Sequence, residues 1–268
     1  MGESSARHVR RVENGRLAYY GREADPGYWD SHWDKWLTED TYKPYRKGYS
    51  GWLEAGLPFL PKEGRIIEAG CGLGVYVVGL RALGYDCEGV EWGPKTVELA
   101  KKHCPDLPIR QGDVTKLDVS DGYYSGYISM GVVEHDYEGP KVFLAEAYRV
   151  LAPGGIGLIS VPFFGPLRRL KARLGMYRAD VSGLEFYQYA YGKKEFFHAL
   201  ESAGFTILRT WAYDTGLGLD EIPCLGKAFN IISRLPKIGG RFWRLLLYSP
   251  VGHMLLAAVR KPASEGTQ

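Results

Sequence analysis

The segment Ile66–Gly74 constrains the fold of this 268-residue chain more than any other. An apolar run leads into glycines at three alternate positions, Gly70, Gly72 and Gly74. A short apolar run that ends in turn residues predicts a buried strand, here Arg65–Ala69, followed by a tight turn. Glycine permits backbone angles that other residues avoid and lets a ligand lie against bare main chain. The segment therefore predicts a ligand-binding turn at the end of a strand.

The chain beyond this turn alternates between strand and helix patterns. We predict further strands at Asp86–Glu91, Ile109–Gln111, Gly126–Met130, Ile156–Val161, Phe205–Tyr213 and His253–Arg260. Helices are expected from the glycine turn through Leu83, and at Lys95–His103, Lys141–Leu151 and Lys193–Ala203. Strands that alternate with helices of this length predict a parallel sheet covered by helices on both faces.

The domain organisation follows from the segments that break this alternation. Residues 1–60 are rich in aromatic rings and are interpreted as a helical cap, whose rings either pack on the core or also close over a ligand. Residues 61–262 form the α/β domain, with insertions near 163–190 and 214–251, and residues 263–268 are expected to be a disordered tail. Both insertions follow strand ends, where ligand-binding loops of parallel sheets lie, so we interpret them as lids.

Composition and charge exclude several classes of protein. The chain is 45% hydrophobic and 24% charged, which is typical of a globular domain, and its net charge of +3 does not by itself indicate nucleic-acid binding. The apolar stretch Leu245–Val259 falls short of the roughly 20 residues that span a bilayer. No secretory signal is apparent and the four cysteines form no Cys-x-x-Cys pair, so we expect a cytoplasmic protein with reduced thiols.

Two carboxylates follow the next strands of the predicted sheet. Glu91 ends the second strand, where a carboxylate can accept hydrogen bonds from both hydroxyls of a ribose. Asp113 follows the third strand, where it can accept a hydrogen bond from an adenine amino group. A dinucleotide site is the alternative, but its Gly-x-Gly-x-x-Gly fingerprint requires glycine where this chain has Val75. Val75 therefore disfavours NAD without excluding it, and the order of these groups is typical of a site for the adenosine part of a cofactor.

These motifs give the chain a resemblance to the class I S-adenosylmethionine-dependent methyltransferases, in their broad small-molecule branch. The matching stretches are Ile66–Gly74, Gly89–Trp92, Gly112–Val114, Tyr127–His135 and Glu146–Pro162, and the last contains Tyr-Arg-Val-Leu-Ala-Pro-Gly-Gly. The resemblance covers residues 60–162 well and residues 193–262 more loosely. It implies a Rossmann-like, seven-stranded, mostly parallel sheet with helices on both faces, in which the last strand, here His253–Arg260, is antiparallel.

The resemblance also implies S-adenosylmethionine as the cofactor and a role for each matching residue. The methionine part of the cofactor would contact Glu68, Gly70, Cys71, Gly72, Gly74 and Met130. The ribose would be held by Glu91, and the adenine by Trp92, Asp113 and Val114.

The segment Gly131–His135 bears on metal binding and on catalysis. Some members of the family bind a divalent metal through Glu-x-x-Glu-His at this place, but the first glutamate position here is Gly131, so we expect no metal. His135 could act as a general base, because a neutral imidazole can take a proton from a hydroxyl or amine during methyl transfer. The alternative is a structural histidine, since methyl transfer requires mainly correct positioning of the two reactants.

Basic residues are concentrated in both insertions. The stretches 163–178 and 225–244 each carry five Lys or Arg residues and no acidic residue. The cations are Arg168, Arg169, Lys171, Arg173 and Arg178 in the first, and Lys227, Arg234, Lys237, Arg241 and Arg244 in the second. They are either a solvated face or a surface for an anionic partner such as a phosphate-bearing substrate, a carrier protein or a membrane surface.

The sequence therefore predicts transfer of a methyl group from S-adenosylmethionine to oxygen or nitrogen of a small or carrier-linked acceptor. An anionic acceptor with a sugar or lipid part, as in natural-product or glycan biosynthesis, fits the basic insertions. The alternatives are a non-catalytic cofactor-binding protein, a nucleic-acid methyltransferase and an NAD-dependent oxidoreductase. We expect no nucleic-acid partner, because Ser129–Val132 differs from the Asn/Asp-Pro-Pro-Tyr/Phe tetrad typical of nucleic-acid methyltransferases.

Overall fold

The computed structural model describes residues 8–214 and 252–263. Its strands are β1 (Val9–Glu13), β2 (Arg16–Gly21), β3 (Arg65–Ala69), β4 (Asp86–Glu91), β5 (Ile109–Gln111), β6 (Tyr124–Met130), β7 (Leu151–Pro162), β8 (Glu185–Ala190), β9 (Thr206–Tyr213) and β10 (Met254–Arg260). Its α-helices are α1 (Pro26–Trp36), α2 (Val75–Ala82), α3 (Pro94–His103), α4 (Lys141–Val150), α5 (Pro166–Arg173) and α6 (Lys193–Ser202).

Seven strands form the central sheet, in the order β5-β4-β3-β6-β7-β10-β9. The pairs from β5 to β7 are parallel, whereas β10 is antiparallel to both β7 and β9. The predicted Rossmann-like, mostly parallel sheet with an antiparallel last strand is thus confirmed. The strand order reverses between β3 and β6, and ligands of such sheets bind in the crevice at this reversal, beyond the carboxyl ends of the strands.

The core lies on both faces of this sheet, as a parallel sheet requires. Consecutive side chains of a strand point to opposite faces, so Ile66 and Ile67 in β3 belong to two different apolar clusters. Ile66 packs in one cluster with Ile128 and Leu158, and Ile67 in the other with Val90. All of these side chains are fully buried. Packing on both faces holds β3 in the centre of the sheet, and the glycine turn follows the carboxyl end of this strand.

The prediction of a wholly helical cap over residues 1–60 is wrong at its start. Strands β1 and β2 form an antiparallel hairpin, and β2 also pairs with β8 to give a separate three-stranded sheet. The hairpin turn is Asn14–Gly15, and both residues have positive φ, 48° and 82°. Asn-Gly between alternating apolar residues is the typical type I′ hairpin signal, because that turn needs left-handed angles at both central positions. At the start of the chain this turn signal favours a β-hairpin over the helix that we predicted from the aromatic residues.

Helix α1 is the helical part of the expected cap. Its first turn is capped by Asp25, whose carboxylate accepts a hydrogen bond from the Tyr28 amide. Asp30 in the middle of α1 accepts hydrogen bonds from the Thr96 amide and hydroxyl at 2.8 and 2.9 Å. This contact attaches α1 to the first turn of α3. It places α1 at the carboxyl edge of the sheet, beside the end of β4.

The structure describes only one of the two predicted insertions. The first contains α5 and β8, so part of it belongs to the small sheet. The second, near 214–251, lies outside the described residues except for Asp214, as does all of the predicted tail beyond Ala263. Within residues 8–214 and 252–263, no helix is long and apolar enough to cross a membrane.

Candidate active site

A cavity of about 470 Å³ opens at the carboxyl edge of the central sheet, next to the reversal of strand order. It is bounded by the glycine turn, the ends of β4, β5 and β6, helix α1 and the first residues of β8. The lining residues are Glu23, Ala24, Trp29, Trp33, Gly70, Glu91, Trp92, Asp113, Val114, Thr115, Met130, Gly131, Val132, His135, Asp136, Tyr137, Phe143, Glu185 and Phe186. Its volume lies within the range of 300–1,000 Å³ typical of small-molecule sites.

The glycine turn has the strained geometry that the sequence predicts. Gly70, Gly72 and Gly74 have φ angles of +74°, +52° and +69°, which residues with side chains rarely adopt. A Cβ atom on Gly72 would lie 2.5 Å from the Trp33 ring, and one on Gly70 would lie 2.5 Å from Val132. The turn therefore accepts only glycine at these two positions and presents bare main chain at Gly70 to the cavity.

Glu91 connects the glycine turn to the cavity. Its side chain is buried, and its two carboxylate oxygens accept hydrogen bonds from the backbone N–H groups of Gly72 and Gly93, at 2.8 and 3.0 Å. Burial raises the pKa of Glu91, although these hydrogen bonds oppose the increase. A carboxylate that holds the turn and also lines the cavity can rigidify the binding wall and accept hydrogen bonds from a ligand.

The cavity brings together other residues that the resemblance pointed to. Trp92, Asp113, Val114 and Met130 all line it. Asp113 is fixed by hydrogen bonds that its Oδ1 accepts from the Thr115 amide and hydroxyl, at 2.8 and 2.7 Å. The Trp92 side chain is 47% exposed, which leaves one ring surface open to a ligand. An aromatic face, an apolar side chain and a hydrogen-bond acceptor are the groups that an adenine ring needs.

Four residues expected near the methionine part are not among the described residues that line this cavity: Glu68, Cys71, Gly72 and Gly74. Glu68 is 3% exposed and interacts with the Val77 backbone N–H in α2. Burial raises the pKa of its carboxyl well above the usual value. Burial likewise raises the pKa of the Cys71 thiol. The side chains of Glu68 and Cys71 are thus buried, and the contacts of all four residues with a ligand stay a prediction.

His135 lines the cavity in a largely buried position. Its Nδ1 lies 2.8 Å from the carbonyl oxygen of Tyr187, so Nδ1 carries the proton that this bond requires. The ring packs edge-to-face against Trp29 and Tyr187, with centroids 5.0 Å apart in both cases. Burial lowers the pKa of His135 to about 4, so the imidazole is neutral near pH 7. A neutral ring can accept a proton, but a pKa this low makes it a weak base.

Glu134 is a buried carboxyl that the sequence reasoning passed over as a site residue. It is 2% exposed, and burial raises its pKa to about 8. Its Oε2 atom is without a hydrogen-bond partner among the described residues, and its Oε1 lies 3.3 Å from where a Cβ of Gly131 would be. Gly131 lines the cavity, so the Glu134 carboxyl lies close to a cavity-lining residue.

The outer end of the cavity was predicted in part, because Glu185 and Phe186 lie in the insertion near 163–190 that we interpreted as a lid. Glu23 follows β2, Glu185 and Phe186 begin β8, and Asp136 and Tyr137 follow β6. The Asn14–Gly15 hairpin predicts β1 and β2, but no sequence signal predicts the pairing of β2 with β8 inside this insertion. The small sheet creates this end of the cavity.

The cations of α5 do not form the lid that the sequence suggested. Arg168 is 4% exposed and donates hydrogen bonds to the Phe163 carbonyl at 2.7 Å and to the His253 ring at 2.6 Å. Arg169 donates to the Phe164 carbonyl at 3.0 Å. No residue of α5 lines the cavity. The lid prediction is therefore wrong for this helix, because its arginines satisfy carbonyl groups at the end of β7.

The Tyr-Arg-Val-Leu-Ala-Pro-Gly-Gly motif has a structural role. Arg149 donates hydrogen bonds to the carboxylates of Glu146 and Asp121 and to the carbonyl groups of Leu117 and Val119, all at 2.8–2.9 Å. These bonds attach the segment before β6 to α4. The arginine thus holds the β5–β6 connection in place rather than contacting the cavity.

Comparison with known proteins agrees with this geometry. A family model described as a methyltransferase domain matches residues 67–159, which run from β3 to β7. A probable S-adenosylmethionine-dependent methyltransferase of Mycolicibacterium smegmatis is 28% identical over 160 residues, which cover 59% of this chain and 58% of that protein. Residues 67–159 therefore form a methyltransferase domain similar to those of S-adenosylmethionine-dependent enzymes.

Two further proteins are similar to this chain in sequence or in fold. An S-adenosyl-L-methionine-dependent Diels-Alderase of Talaromyces variabilis is 28% identical over 147 residues, 52% of this chain and 48% of that protein. A methyltransferase structure from Methanosarcina mazei has a TM-score of 0.56 at 13% identity, covering 79% of this chain and 98% of that chain, and shows the fold alone. The chain spans about half the length of the curated relatives it matches.

The cavity fits S-adenosylmethionine, the cofactor of this methyltransferase family. The bare main chain of the glycine turn leaves a space that a Cβ atom would fill. Glu91 and Asp113 offer carboxylates for hydroxyl and amino donors, and the Trp92 ring offers a flat surface. Trp29 and Trp33 add aromatic faces, which attract a cation such as a sulfonium.

Proposed function

We propose that this chain transfers a methyl group from S-adenosylmethionine to oxygen or nitrogen of a small acceptor. One observation carries the proposal: a single cavity joins the cofactor-type residues Gly70, Glu91 and Asp113 to a second group of residues at its outer end. Cofactor and acceptor can therefore share one enclosed space. Positioning two reactants in such a space removes much of the entropic barrier to a bimolecular reaction.

In this proposal the residues keep the roles that the family resemblance implies. Glu91 binds the ribose, while Trp92, Asp113 and Val114 surround the adenine. The glycine turn from Gly70 to Gly74, with Cys71 between its glycines, and Met130 hold the methionine part, and Glu68 supports the turn from behind through α2. When bound, the cofactor supplies an electrophilic methyl group on a sulfonium. Trp29 and Trp33 cover it and exclude water.

His135 is the proposed general base. Its neutral form, which a base requires, is the one present near pH 7, and the Tyr187 carbonyl fixes the orientation of its ring. Because the pKa of His135 is only about 4, we infer that proton transfer contributes modestly and that positioning provides most of the rate enhancement. Substitution of His135 should therefore lower kcat less than a variant that displaces the acceptor.

The anionic acceptor that the basic insertions suggested has little support in the described part of the cavity. Five carboxylates and neither Lys nor Arg are among its lining residues there. Cations that could meet an anionic group or a carrier would have to come from residues 214–251, which lie outside the described residues.

Cofactor binding and turnover test the proposal separately. Calorimetry should detect binding of S-adenosylmethionine but not of NAD, and a panel of amines and phenols should include acceptors that release S-adenosylhomocysteine. The control is Gly72→Val, which combines a positive φ with the clash against Trp33 and should abolish binding. The relative named a Diels-Alderase favours a second candidate, a cofactor-binding protein without methyl transfer. Binding without release of S-adenosylhomocysteine from any acceptor would support that candidate.

A further inference from the structure

The outer end of the cavity carries a concentration of negative charge. The small sheet pairs Gly21 with Glu185, so Glu23, two residues beyond Gly21, and Glu185 lie at the same end of adjacent strands. Asp136 follows β6 and lines the same cavity. These three carboxylates come from three distant parts of the sequence. We refer to Glu23, Asp136 and Glu185 as the outer carboxylates.

Nothing in the described part of the cavity wall balances this charge. Glu91 and Asp113 add two further carboxylates, and the neighbouring His135 is neutral near pH 7 because burial lowers its pKa to about 4. The ion pairs found within residues 8–214 and 252–263 do not involve the outer carboxylates. Arg22 is adjacent to Glu23 in sequence, but its guanidinium lies over the Tyr28 ring, 5.4 Å from its centroid. The cavity therefore repels anions and attracts cations.

Aromatic rings line the same end of the cavity. Tyr137 and Phe186 pack edge-to-face with centroids 5.2 Å apart, and Trp29 packs against His135. Aromatic faces attract ammonium groups and also bury flat apolar groups. Carboxylates together with aromatic faces are the combination that binds an organic cation, whereas a phosphate or carboxylate group would find only repulsion.

A buried carboxyl lies beside the cavity-lining residue Gly131. Glu134 is 98% buried, and its Oε2 lacks a hydrogen-bond partner in the part of the chain that the structure describes. A Cβ on Gly131, which lines the cavity, would lie 3.3 Å from the other oxygen of this carboxyl, Oε1. A buried polar atom without a partner costs free energy unless a ligand or water supplies one.

We propose that the acceptor of this methyltransferase is a cationic amine with a flat apolar body. The inference rests on the proposed function and specifies its substrate class. The substrate enters as an ammonium ion attracted by the outer carboxylates and releases one proton to bulk solvent, because His135, with a pKa of about 4, is too weak a base to deprotonate an ammonium ion. The nitrogen lone pair then forms the N–C bond while the methyl C–S bond breaks, and the electron pair of that bond stays on sulfur. The product is a methylammonium cation, which the same carboxylates stabilise.

Three probes of matched shape test the charge preference: phenethylamine as the cation, 3-phenylpropanamide as the neutral compound and 3-phenylpropionate as the anion. Their affinities are measured by calorimetry with protein saturated with S-adenosylhomocysteine. We expect phenethylamine to bind at least tenfold more tightly than 3-phenylpropionate, and its binding to weaken as salt is added, because exposed charges are screened. Equal affinities, or tighter binding of the anion, would overturn the inference.

A second experiment neutralises the outer carboxylates by substitution. The variant Glu23→Gln/Asp136→Asn/Glu185→Gln should weaken phenethylamine binding at least tenfold and leave the amide nearly unchanged. The matched control Glu98→Gln/Asp106→Asn/Glu201→Gln changes net charge equally at exposed residues that do not line the cavity, and should retain wild-type affinities. Equal losses in both variants would overturn the inference. If the first variant fails to fold, the probe comparison in the wild-type protein still decides.

The design separates this inference from the proposed function. Failure of S-adenosylhomocysteine to bind would overturn both. A second outcome would overturn only the substrate class and leave methyl transfer intact. In that outcome the protein binds S-adenosylhomocysteine, shows no preference for the cationic probe, and produces S-adenosylhomocysteine with phenols as acceptors but not with amines.

Discussion

Glu91 shows how one side chain can serve both the fold and the ligand. Its two oxygens already accept backbone N–H groups from the glycine turn and from the start of α3. A carboxylate oxygen has more than one lone pair, so each can also accept a ribose hydroxyl. The ribose role, which is part of the proposed function, is therefore compatible with the structural bonds.

We expect Glu91→Gln to weaken binding of S-adenosylhomocysteine about 10- to 100-fold, since a charged acceptor bond is worth about 1.5–3 kcal/mol. The measurement is calorimetry with S-adenosylhomocysteine and with its 2′-deoxyribose analogue. If Glu91 binds the ribose, removal of the 2′-hydroxyl should cost affinity in the wild type but little in the variant. An equal cost in both proteins would show that Glu91 only holds the glycine turn.

Glu134 should give the protein a specific pH dependence of stability. In the unfolded chain its carboxyl ionises near the ordinary pKa of 4.5, whereas in the folded chain it keeps its proton up to about pH 8. The folded state binds more protons between these values, so this carboxyl makes stability fall as pH rises from about 4.5 to 8. The variant Glu134→Gln should lose this component.

Urea unfolding from pH 4 to pH 9 measures the effect. The free energy of unfolding of Glu134→Gln, relative to wild type, should increase across the interval from 4.5 to 8 and then level off. His135 acts in the opposite direction, because its lowered pKa makes stability fall as pH drops from 6.5 towards 4. Its contribution is present in both proteins and cancels in the difference. The exposed neighbour Glu138→Gln is the control, and curves parallel to wild type for Glu134→Gln would contradict the assignment.

At the scale of elements, the hairpin of β1 and β2 determines the outer end of the cavity. Its turn residue Gly15 has φ +82° and no atom within 4 Å of a Cβ placed there, so Gly15→Ala strains the backbone without any clash. The expected cost is about 1–2 kcal/mol of stability. Because β2 pairs with β8, we also expect weaker acceptor binding and nearly unchanged cofactor binding.

Gly154→Ala is a matched control for this prediction. Gly154 also has a positive φ, +80°, and open space around the missing Cβ, but it lies in β7 away from the cavity. Thermal melts should show similar losses of stability in both variants, and calorimetry with phenethylamine should distinguish them. Acceptor binding that weakens equally in both variants would refute a local role of the hairpin.

At the scale of the whole molecule, we expect methyl transfer to be independent of divalent metal. Gly131 stands where metal-dependent relatives carry a glutamate, and residues 8–214 and 252–263 contain no group of three or more His, Cys, Asp and Glu placed to hold an ion. Activity should survive EDTA, and added Mg²⁺ should leave kcat and KM within twofold. Activity that disappears with the chelator and returns with Mg²⁺ would contradict this expectation.

The sequence by itself determined the central sheet and brought the proposed cofactor-binding residues together. Strands β4 and β5 begin and end at the predicted residues, and Gly70, Glu91, Asp113 and Met130, which the family resemblance pointed to, line one cavity. The physical reason is that apolar runs, turn glycines and strand-end carboxylates are local signals. The repeating strand and helix connections then bring the ends of parallel strands to the same edge.

Only the tertiary structure decided the acceptor half. The pairing of β2 with β8 joins residues about 165 positions apart, and no local pattern selects one partner strand over another. Packing also buried Arg168 against the Phe163 carbonyl, although its sequence context predicted a solvated or ligand-facing cation. Burial of Glu134 and the meeting of Glu23, Asp136 and Glu185 depend on the same long-range contacts. The charge at a site depends on which distant segments pack together. The sequence identifies the charged residues, but its local patterns do not specify which of them become neighbours in space.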